Sequence, residues 1–137
     1  MKDNSFIDSN IWLYSFIGDT AGKHQLAAKL IQENKQEIAI SLQVINEVCV
    51  NLIKKANFKE EKIEELINSF YENYRLVELD KDVLTNASKL RNSLSLSFWD
   101  SLIVSAALMS ECDILYTEDL QHNQVIADNL KIVNPFK

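Results

Sequence analysis

Glycine, proline and cysteine are all scarce in this 137-residue sequence, which has two, one and two of them respectively. Such a composition argues against low-complexity stretches and flexible linkers, and the 47% apolar content can form one hydrophobic core. We therefore expect residues 1–137 to fold as one domain. Because Cys49 and Cys112 lie in apolar, helix-like runs without CxxC spacing or a secretory signal, we expect reduced, buried thiols and a cytoplasmic location.

Long apolar runs and an excess of basic residues are also missing. No run approaches the roughly 20 apolar residues of a membrane span, and Asp8 and Asn10 interrupt the apolar N-terminal stretch, so we expect no span there. The formal net charge of −6 argues against a protein that binds nucleic acid by bulk electrostatics. That argument weakens if much of the acidity lies in a site where bound cations reverse the local sign.

Strand-like and helix-like segments alternate along the chain. Strands are predicted around residues 5–7, 37–41, 75–79, 114–117 and 131–133. Helices are predicted from about residue 10, then over residues 23–33, after 41, and over 59–71, 80–94 and 97–109. This alternation predicts an α/β fold, a three-layer α/β/α sandwich with a central, mostly parallel sheet of about five strands.

Two of the predicted strands end in carboxylates. Asp8 directly follows the first strand, and Asp119 follows the strand at residues 114–117, with Glu118 beside it as the competing acid. Because functional groups gather at the carboxyl ends of strands in open α/β sheets, both positions are candidates for a site. The structural alternatives, a helix N-cap for Asp8 and an acidic turn residue for Asp119, stay open.

Two helical acids, Asp100 and Glu47, are further candidates. Asp100 comes three residues after a potential cap, Ser97, which fits a capping box, but apolar residues share its helical face. An unpaired charge there is costly, and a metal ion would account for it. Glu47 lies on a stripe with Asn51 and Lys54 that is typical of a solvated face, yet its helix begins at the same sheet edge and could overhang the site.

Carboxylates that lie close together favour the binding of cations. At ~4 Å and an effective dielectric constant near ~20, two of them repel by about 4 kcal/mol, which shifts their pKa values or recruits cations. Oxygen ligands suit magnesium or manganese, whereas zinc prefers histidine or cysteine. His24 and His122 lack the spacing of a metal site, and we expect them at the surface.

The acids belong to four motifs that occur in a particular order. The motifs are Phe6-Ile7-Asp8-Ser9-Asn10, Asn46-Glu47-Val48, Phe98-Trp99-Asp100-Ser101-Leu102-Ile103-Val104-Ser105-Ala106-Ala107 and Leu115-Tyr116-Thr117-Glu118-Asp119-Leu120. This ordered set, which spans essentially the whole chain, resembles the PIN-domain family. It is especially similar to the VapC-type toxin ribonucleases.

The resemblance implies a metal-dependent ribonuclease with a defined set of catalytic acids. Asp8 and Asp100 would be the principal ligands of magnesium or manganese. Glu47 would complete the acidic pocket, and Asp119 would bind a metal directly or through water. The supporting polar groups would be Asn10, Thr117 and Glu118. The family further implies an RNA substrate, a cognate antitoxin protein and a homodimer.

Basic residues and competing functions complete the predictions. Lys54, Lys55 and Arg91 are candidate phosphate contacts, although solvated surface charges are the commoner explanation. A haloacid-dehalogenase-like phosphatase would want a second Asp where Asn10 stands, and a receiver domain would want adjacent acids where Ser9 stands. Two alternatives remain: a catalytically degenerate PIN fold acting as a protein-interaction module, and a PIN nuclease outside a toxin–antitoxin system.

Overall fold

The computed structural model of the protein describes residues 3–18 and 22–137. Its elements, in chain order, are β1 (Ser5–Ile7), α1 (Ser9–Phe16), α2 (Lys23–Glu33), β2 (Ile38–Ser41), α3 (Leu42–Ala56), α4 (Glu60–Asn73), β3 (Arg75–Val77), α5 (Lys81–Ser93), α6 (Phe98–Met109), β4 (Ile114–Tyr116), β5 (Val125–Ile126) and β6 (Leu130–Val133). A short 3-10 helix precedes β2. The alternation of strands and helices confirms the predicted α/β class.

Polar side chains set the starts of several helices. Ser41, Asp80 and Ser97 cap α3, α5 and α6, each with a side-chain oxygen that accepts a hydrogen bond from a backbone N–H. The Ser97 cap was predicted, and the structure confirms it. No helix within residues 3–18 and 22–137 combines the length and the apolar character needed to cross a membrane.

The sheet has the strand order β3-β2-β1-β4-β6-β5 and is parallel except for β5. Every residue of β1 and β2 is buried, which requires cover on both faces because successive side chains of a strand point to opposite sides. Helix α1 packs against α2 and α3, whereas α5 packs along α6, which contacts β2 and β4. These are the three predicted layers.

The core joins helices and sheet through specific contacts. The indole Nε1 of Trp12 donates a buried hydrogen bond to the Ile7 carbonyl at 3.1 Å, which holds α1 against β1. The Trp12 ring meets the rings of Phe70 and Tyr74 edge-on, at centroid distances of 5.3 and 5.1 Å. Both cysteines are buried and form no disulfide, as predicted.

The sheet has six strands where about five were predicted. The additional strand, β5, has only two residues, Val125 and Ile126, and Val125 is exposed. Both residues are apolar, so the strand shows no alternation of apolar and polar residues. It turns into β6 through Ala127 and Asp128, both with positive φ. The sequence there lacks the Asn-Gly or Asp-Gly pair that usually indicates such a hairpin.

Candidate active site

The carboxyl ends of β1 and β4 meet where the order of the sheet changes direction. The chain runs from β1 to β2 and β3 on one side, and then returns to place β4 on the other side of β1. Ile7 pairs with Tyr116 at the ends of these strands, and the next backbone N–H, of Asp8, donates to the Tyr116 carbonyl at 3.0 Å. Such a switch point is the usual place for a site in an open α/β sheet.

Asp8 is a buried carboxylate at this switch point, with 7% of its surface exposed. One oxygen, Oδ1, accepts a hydrogen bond from Ser9 N at 2.7 Å, so Asp8 does cap α1. The other, Oδ2, accepts from the Thr117 hydroxyl at 2.9 Å. Burial raises the pKa of Asp8 to about 6; the Thr117 and Ser9 hydrogen bonds oppose this rise, and the charges of Asp119 and Glu47 add to it.

Thr117 connects Asp8 to the loop that carries Asp119. The threonine is buried, and its Oγ1 donates to Asp8 while accepting a hydrogen bond from Asp119 N at 3.1 Å. Asp119 itself is an exposed residue. Partial burial of its carboxyl raises its pKa, and the charges of Asp100 and Glu118 contribute to the same rise. Thr117 thus links the Asp8 side chain, at the end of β1, to the backbone of Asp119 in the loop after β4.

Glu47 and Asp100 approach from α3 and α6, and both are half-buried. Burial raises the pKa of Glu47; hydrogen bonds from Ser9 and Gln43 oppose the rise, and the charges of Asp100 and Asp119 add to it. The cap bond of α6, from Asp100 N to Ser97 Oγ at 3.1 Å, leaves the Asp100 carboxylate out of the cap interaction. Glu47 therefore lies beside other acids, not on the solvated face that its periodicity indicates.

We call Asp8, Glu47, Asp100 and Asp119 the acid cluster. Charges of other members contribute to the raised pKa values of Asp8, Glu47 and Asp119, which lie at or after the ends of β1 and β4 and on α3. Their oxygens are the ligands that magnesium and manganese prefer, and a cation would offset the repulsion among them. Within residues 3–18 and 22–137, however, no three His, Cys, Asp or Glu side chains are grouped closely enough to hold a metal ion as they stand.

Glu118 belongs to a different set of contacts, which we call the ion-pair cluster: Tyr14, Lys23 and Glu118. The Lys23 ammonium lies 2.8 Å from Glu118 Oε2, and the Tyr14 hydroxyl donates to Oε1. Burial alone would raise the pKa of Glu118, but the hydrogen bonds from Lys23 and Tyr14 and the Lys23 charge together lower it. The carboxylate of Glu118 is thus already compensated by a cation of the protein.

The basic and amide candidates lie on α1, α3 and α5. Arg91 donates from Nη1 to Ser101 Oγ at 2.7 Å and stacks over the Phe98 ring at 4.3 Å, so its guanidinium joins α5 to α6. Lys54 and Lys55 are exposed in the last turn of α3. Lys55 and the half-buried Asn10 line one cavity of about 200 Å³.

The two histidines, which were expected at the surface, are partly exposed. Each ring also contacts the backbone of another segment. The Nδ1 of His24 lies 2.8 Å from the Tyr14 carbonyl, and the Nδ1 of His122 accepts a hydrogen bond from Asn134 N at 3.0 Å.

Gln43 is a residue of the site region that motif reading missed. Only 8% of it is exposed, it forms a hydrogen bond to Glu47, and its Nε2 donates to the Trp99 carbonyl at 3.5 Å. A sequence indication did exist, because Gln43 stands four residues before Glu47 and therefore shares its helical face.

Comparison with known proteins identifies the family. The PIN domain family model matches residues 5–127. The chain belongs to the PIN-domain family. No curated protein matches this PIN domain significantly.

Several solved structures share the PIN fold seen here. A toxin–antitoxin complex from Klebsiella pneumoniae matches 98% of this chain and 99% of its own at 20% identity and a TM-score of 0.74. VapC20 from Mycobacterium tuberculosis, described as a sarcin-ricin loop cleaving toxin, matches 85% and 92% at 15% identity and a TM-score of 0.68. DNA-bound VapBC from Salmonella typhimurium matches 96% and 97% at 15% identity and a TM-score of 0.69. At these identities the similarity shows a shared fold.

Proposed function

We propose that this PIN-domain protein is a Mg²⁺- or Mn²⁺-dependent endoribonuclease and the toxin of a type II toxin–antitoxin pair. The observation that carries the proposal is the buried Asp8 carboxylate at the β1–β4 switch point, whose pKa is raised to about 6. Asp8 caps α1, but capping gives no reason to place other acids beside a buried carboxylate, whose charged form is destabilised there. Binding a divalent cation supplies such a reason.

Each acid would have a defined role in this reaction. Asp8, Asp100 and Asp119 would hold the metal, and Glu47 would complete the acidic pocket. Thr117 would orient Asp8 through its 2.9 Å hydrogen bond. When bound, the cation would activate water and offset negative charge on the scissile phosphate of the RNA.

Because the chain is acidic overall, an RNA substrate would be attracted by positive charge near the site and not by the surface as a whole. With a net charge of −6, the surface as a whole repels phosphates, so attraction would depend on the metal and on nearby lysines. Lys54 and Lys55, which are exposed at the end of the helix that carries Glu47, would contact the RNA backbone. Arg91 would be a third contact with the RNA, but a weaker one, because its guanidinium already contacts Ser101 and Phe98.

The biological setting follows from the similar structures. Those neighbours include a toxin–antitoxin complex and DNA-bound VapBC. By similarity, this chain would be bound by a cognate antitoxin protein and would form a homodimer in the cytoplasm, with residues 1–137 as a single nuclease domain. Sedimentation of the purified chain, alone and with the product of a neighbouring gene, tests the homodimer and the antitoxin separately.

A second candidate function is a degenerate PIN domain that binds a protein partner without turnover. It is favoured by the spacing of the acids, since no three of the described His, Cys, Asp or Glu side chains form a ready metal site. The two functions differ in what a metal does. A nuclease requires the acid cluster to contract around a cation, whereas an interaction module does not respond to one.

Cleavage of RNA by the purified protein tests the proposal. We expect cleavage only with added Mg²⁺ or Mn²⁺, and we expect Asp100→Asn to abolish it while the circular dichroism spectrum stays unchanged. Asp82→Asn, which changes an acid in the first turn of α5, is the matched control and should cleave normally. Cleavage with chelator present, or full activity of Asp100→Asn, would contradict the mechanism, and an inactive but partner-binding wild type would favour the interaction module.

A further inference from the structure

A cavity of about 200 Å³ opens between α1 and α3. Asn10, in the first turn of α1, lines the cavity and follows Asp8 of the acid cluster by two residues. The other lining residues lie farther along α1 or in the last turn of α3: Leu13, Tyr14, Ile17 and Lys55. The cavity therefore begins beside the acid cluster and extends away from it.

Helices α1 and α3 lie side by side along the whole length of this cavity. At the start of α1, Ser9 forms a hydrogen bond with Glu47 in the first half of α3. At the end of α1, Ile17 lines the same cavity as Lys55. Lys55 follows Glu47 by eight residues, which is about 12 Å along a helix axis. A strand bound at the acids can thus continue between the two helices as far as Lys55.

Two hydrogen-bond donors in the cavity have no acceptor in the described part of the chain. The exposed Lys55 ammonium forms no ion pair or hydrogen bond there, and neither does the half-buried side-chain amide of Asn10. The Tyr14 hydroxyl, in contrast, already donates to Glu118. A cation and an amide on facing helices suit an anion with several acceptor oxygens, as a phosphate has.

We propose that this cavity is a phosphate subsite for RNA, in which Lys55 Nζ and the Asn10 amide donate to a phosphodiester that flanks the scissile one. The inference rests on the proposed function, which places the scissile phosphate at the acid cluster. It gives the strand a path between α1 and α3, and it separates Lys55 from Lys54, which does not line the cavity. RNA is favoured over an acidic protein segment because the cavity begins two residues from Asp8, so one polyanionic strand can contact both places.

The salt dependence of RNA binding tests the subsite without requiring cleavage. The probe is a fluorescein-labelled single-stranded RNA of about ten nucleotides, bound by the full chain in EDTA and followed by anisotropy over a series of KCl concentrations. Each phosphate that a lysine neutralises adds about 0.7 to the slope with which log K falls as log salt rises. Lys55→Ala should weaken binding at low salt at least about fivefold and reduce the slope by about 0.7, for two RNAs of different sequence alike.

Three further variants separate the contact from a general effect of charge. Asn10→Ala removes an uncharged donor, so it should weaken binding and leave the salt slope unchanged. Lys54→Ala should weaken binding less than Lys55→Ala does. Lys89→Ala removes the same charge from an exposed position on α5 and should bind like the wild type. Circular dichroism checks that each variant is folded.

Two results would overturn the subsite. The first is an affinity and a salt slope of Lys55→Ala that equal those of Lys89→Ala. The second is unchanged RNA binding by Lys55→Ala together with a fall in its sedimenting mass, which would mark the cavity as an interface between copies of the chain.

Failure of the proposed function gives a different result from failure of the subsite. If the proposed function fails, the chain cleaves no RNA with Mg²⁺ or Mn²⁺, whereas the salt slopes still differ as expected. If only the subsite fails, metal-dependent cleavage persists and Lys55→Ala has the KM of the wild type. If both hold, Lys55→Ala raises KM and leaves kcat nearly unchanged, because it removes binding away from the reacting atoms.

Discussion

Two neighbouring carboxylates, Glu118 and Asp119, belong to environments with opposite effects on an acid. Glu118 has a lysine at 2.8 Å and a lowered pKa, whereas Asp119 faces the acid cluster and has a raised pKa. The ion-pair cluster is complete within the chain itself. Within residues 3–18 and 22–137, no basic side chain forms an ion pair with the acid cluster. Glu118 thus has a structural partner, whereas the acid cluster is the site that we propose binds a cation.

The largest expected effect is the contrast in cleavage between Asp8→Asn and Glu118→Gln. Asp8→Asn should lower cleavage of RNA with Mg²⁺ by at least about 100-fold, because it removes a negative ligand from the acid cluster. Glu118→Gln should retain cleavage within a few fold. Rates measured at saturating Mg²⁺ compare the two, and equal losses would show that the ion-pair cluster is as important for turnover as the acid cluster.

The second effect is the pH dependence of folding, in which Asp8 acts against stability. Because its pKa is raised from 3.8 to about 6, the folded state binds more protons than the unfolded state in that range. Stability therefore falls as pH rises through about 4 to 6, by about 3 kcal/mol at most.

Urea unfolding of the wild type and of Asp8→Asn at pH 4 and pH 7.5, without metal, measures this effect. Asp8→Asn should be the more stable protein at pH 7.5 and should lose most of the decline with pH. A variant that is less stable at both pH values would refute the unfavourable role assigned to the Asp8 charge.

A smaller effect is expected at Thr117, which connects two members of the acid cluster. Thr117→Val keeps the shape of the side chain but removes its bonds to Asp8 Oδ2 and from Asp119 N, which should cost about 1–2 kcal/mol of stability. Cleavage should fall by about tenfold or more, as for groups that orient a metal ligand. Thr117→Ser is the control, because its hydroxyl can restore both bonds.

The smallest effect belongs to the ion-pair cluster. The pKa of Glu118 is lower in the folded protein than in the unfolded chain. Glu118 therefore contributes stability above its unfolded pKa, and this contribution disappears as pH falls through its folded pKa. Glu118→Gln should therefore lower the melting temperature slightly at pH 7 and not at pH 3. The pair is partly exposed, so solvent screening keeps the effect small. A large loss at pH 7 would make this cluster a main support of the fold.

Sequence patterns predicted much of the fold because helix caps and apolar periodicity depend on residues that are close together in the chain. Ser41, Asp80 and Ser97 cap helices in any context where an N–H group needs an acceptor. Strand β5 was missed because its stability comes from pairing with β6, not from its own two residues. Gln43 was missed because its burial depends on the segments that pack over it, although its position four residues before Glu47 was an indication in the sequence.

The sequence by itself determined the order of the helices and of every strand except β5, the Ser97 cap and the placing of Asp8 and Asp119 after strand ends. Only the tertiary structure decided that Asp119 faces the acid cluster and that Lys23 compensates Glu118. It also decided that the Thr117 hydroxyl reaches Asp8 across 109 residues of sequence. Caps and periodicity depend on neighbours a few residues away, whereas the partner of a carboxylate depends on which distant segments the sheet brings together.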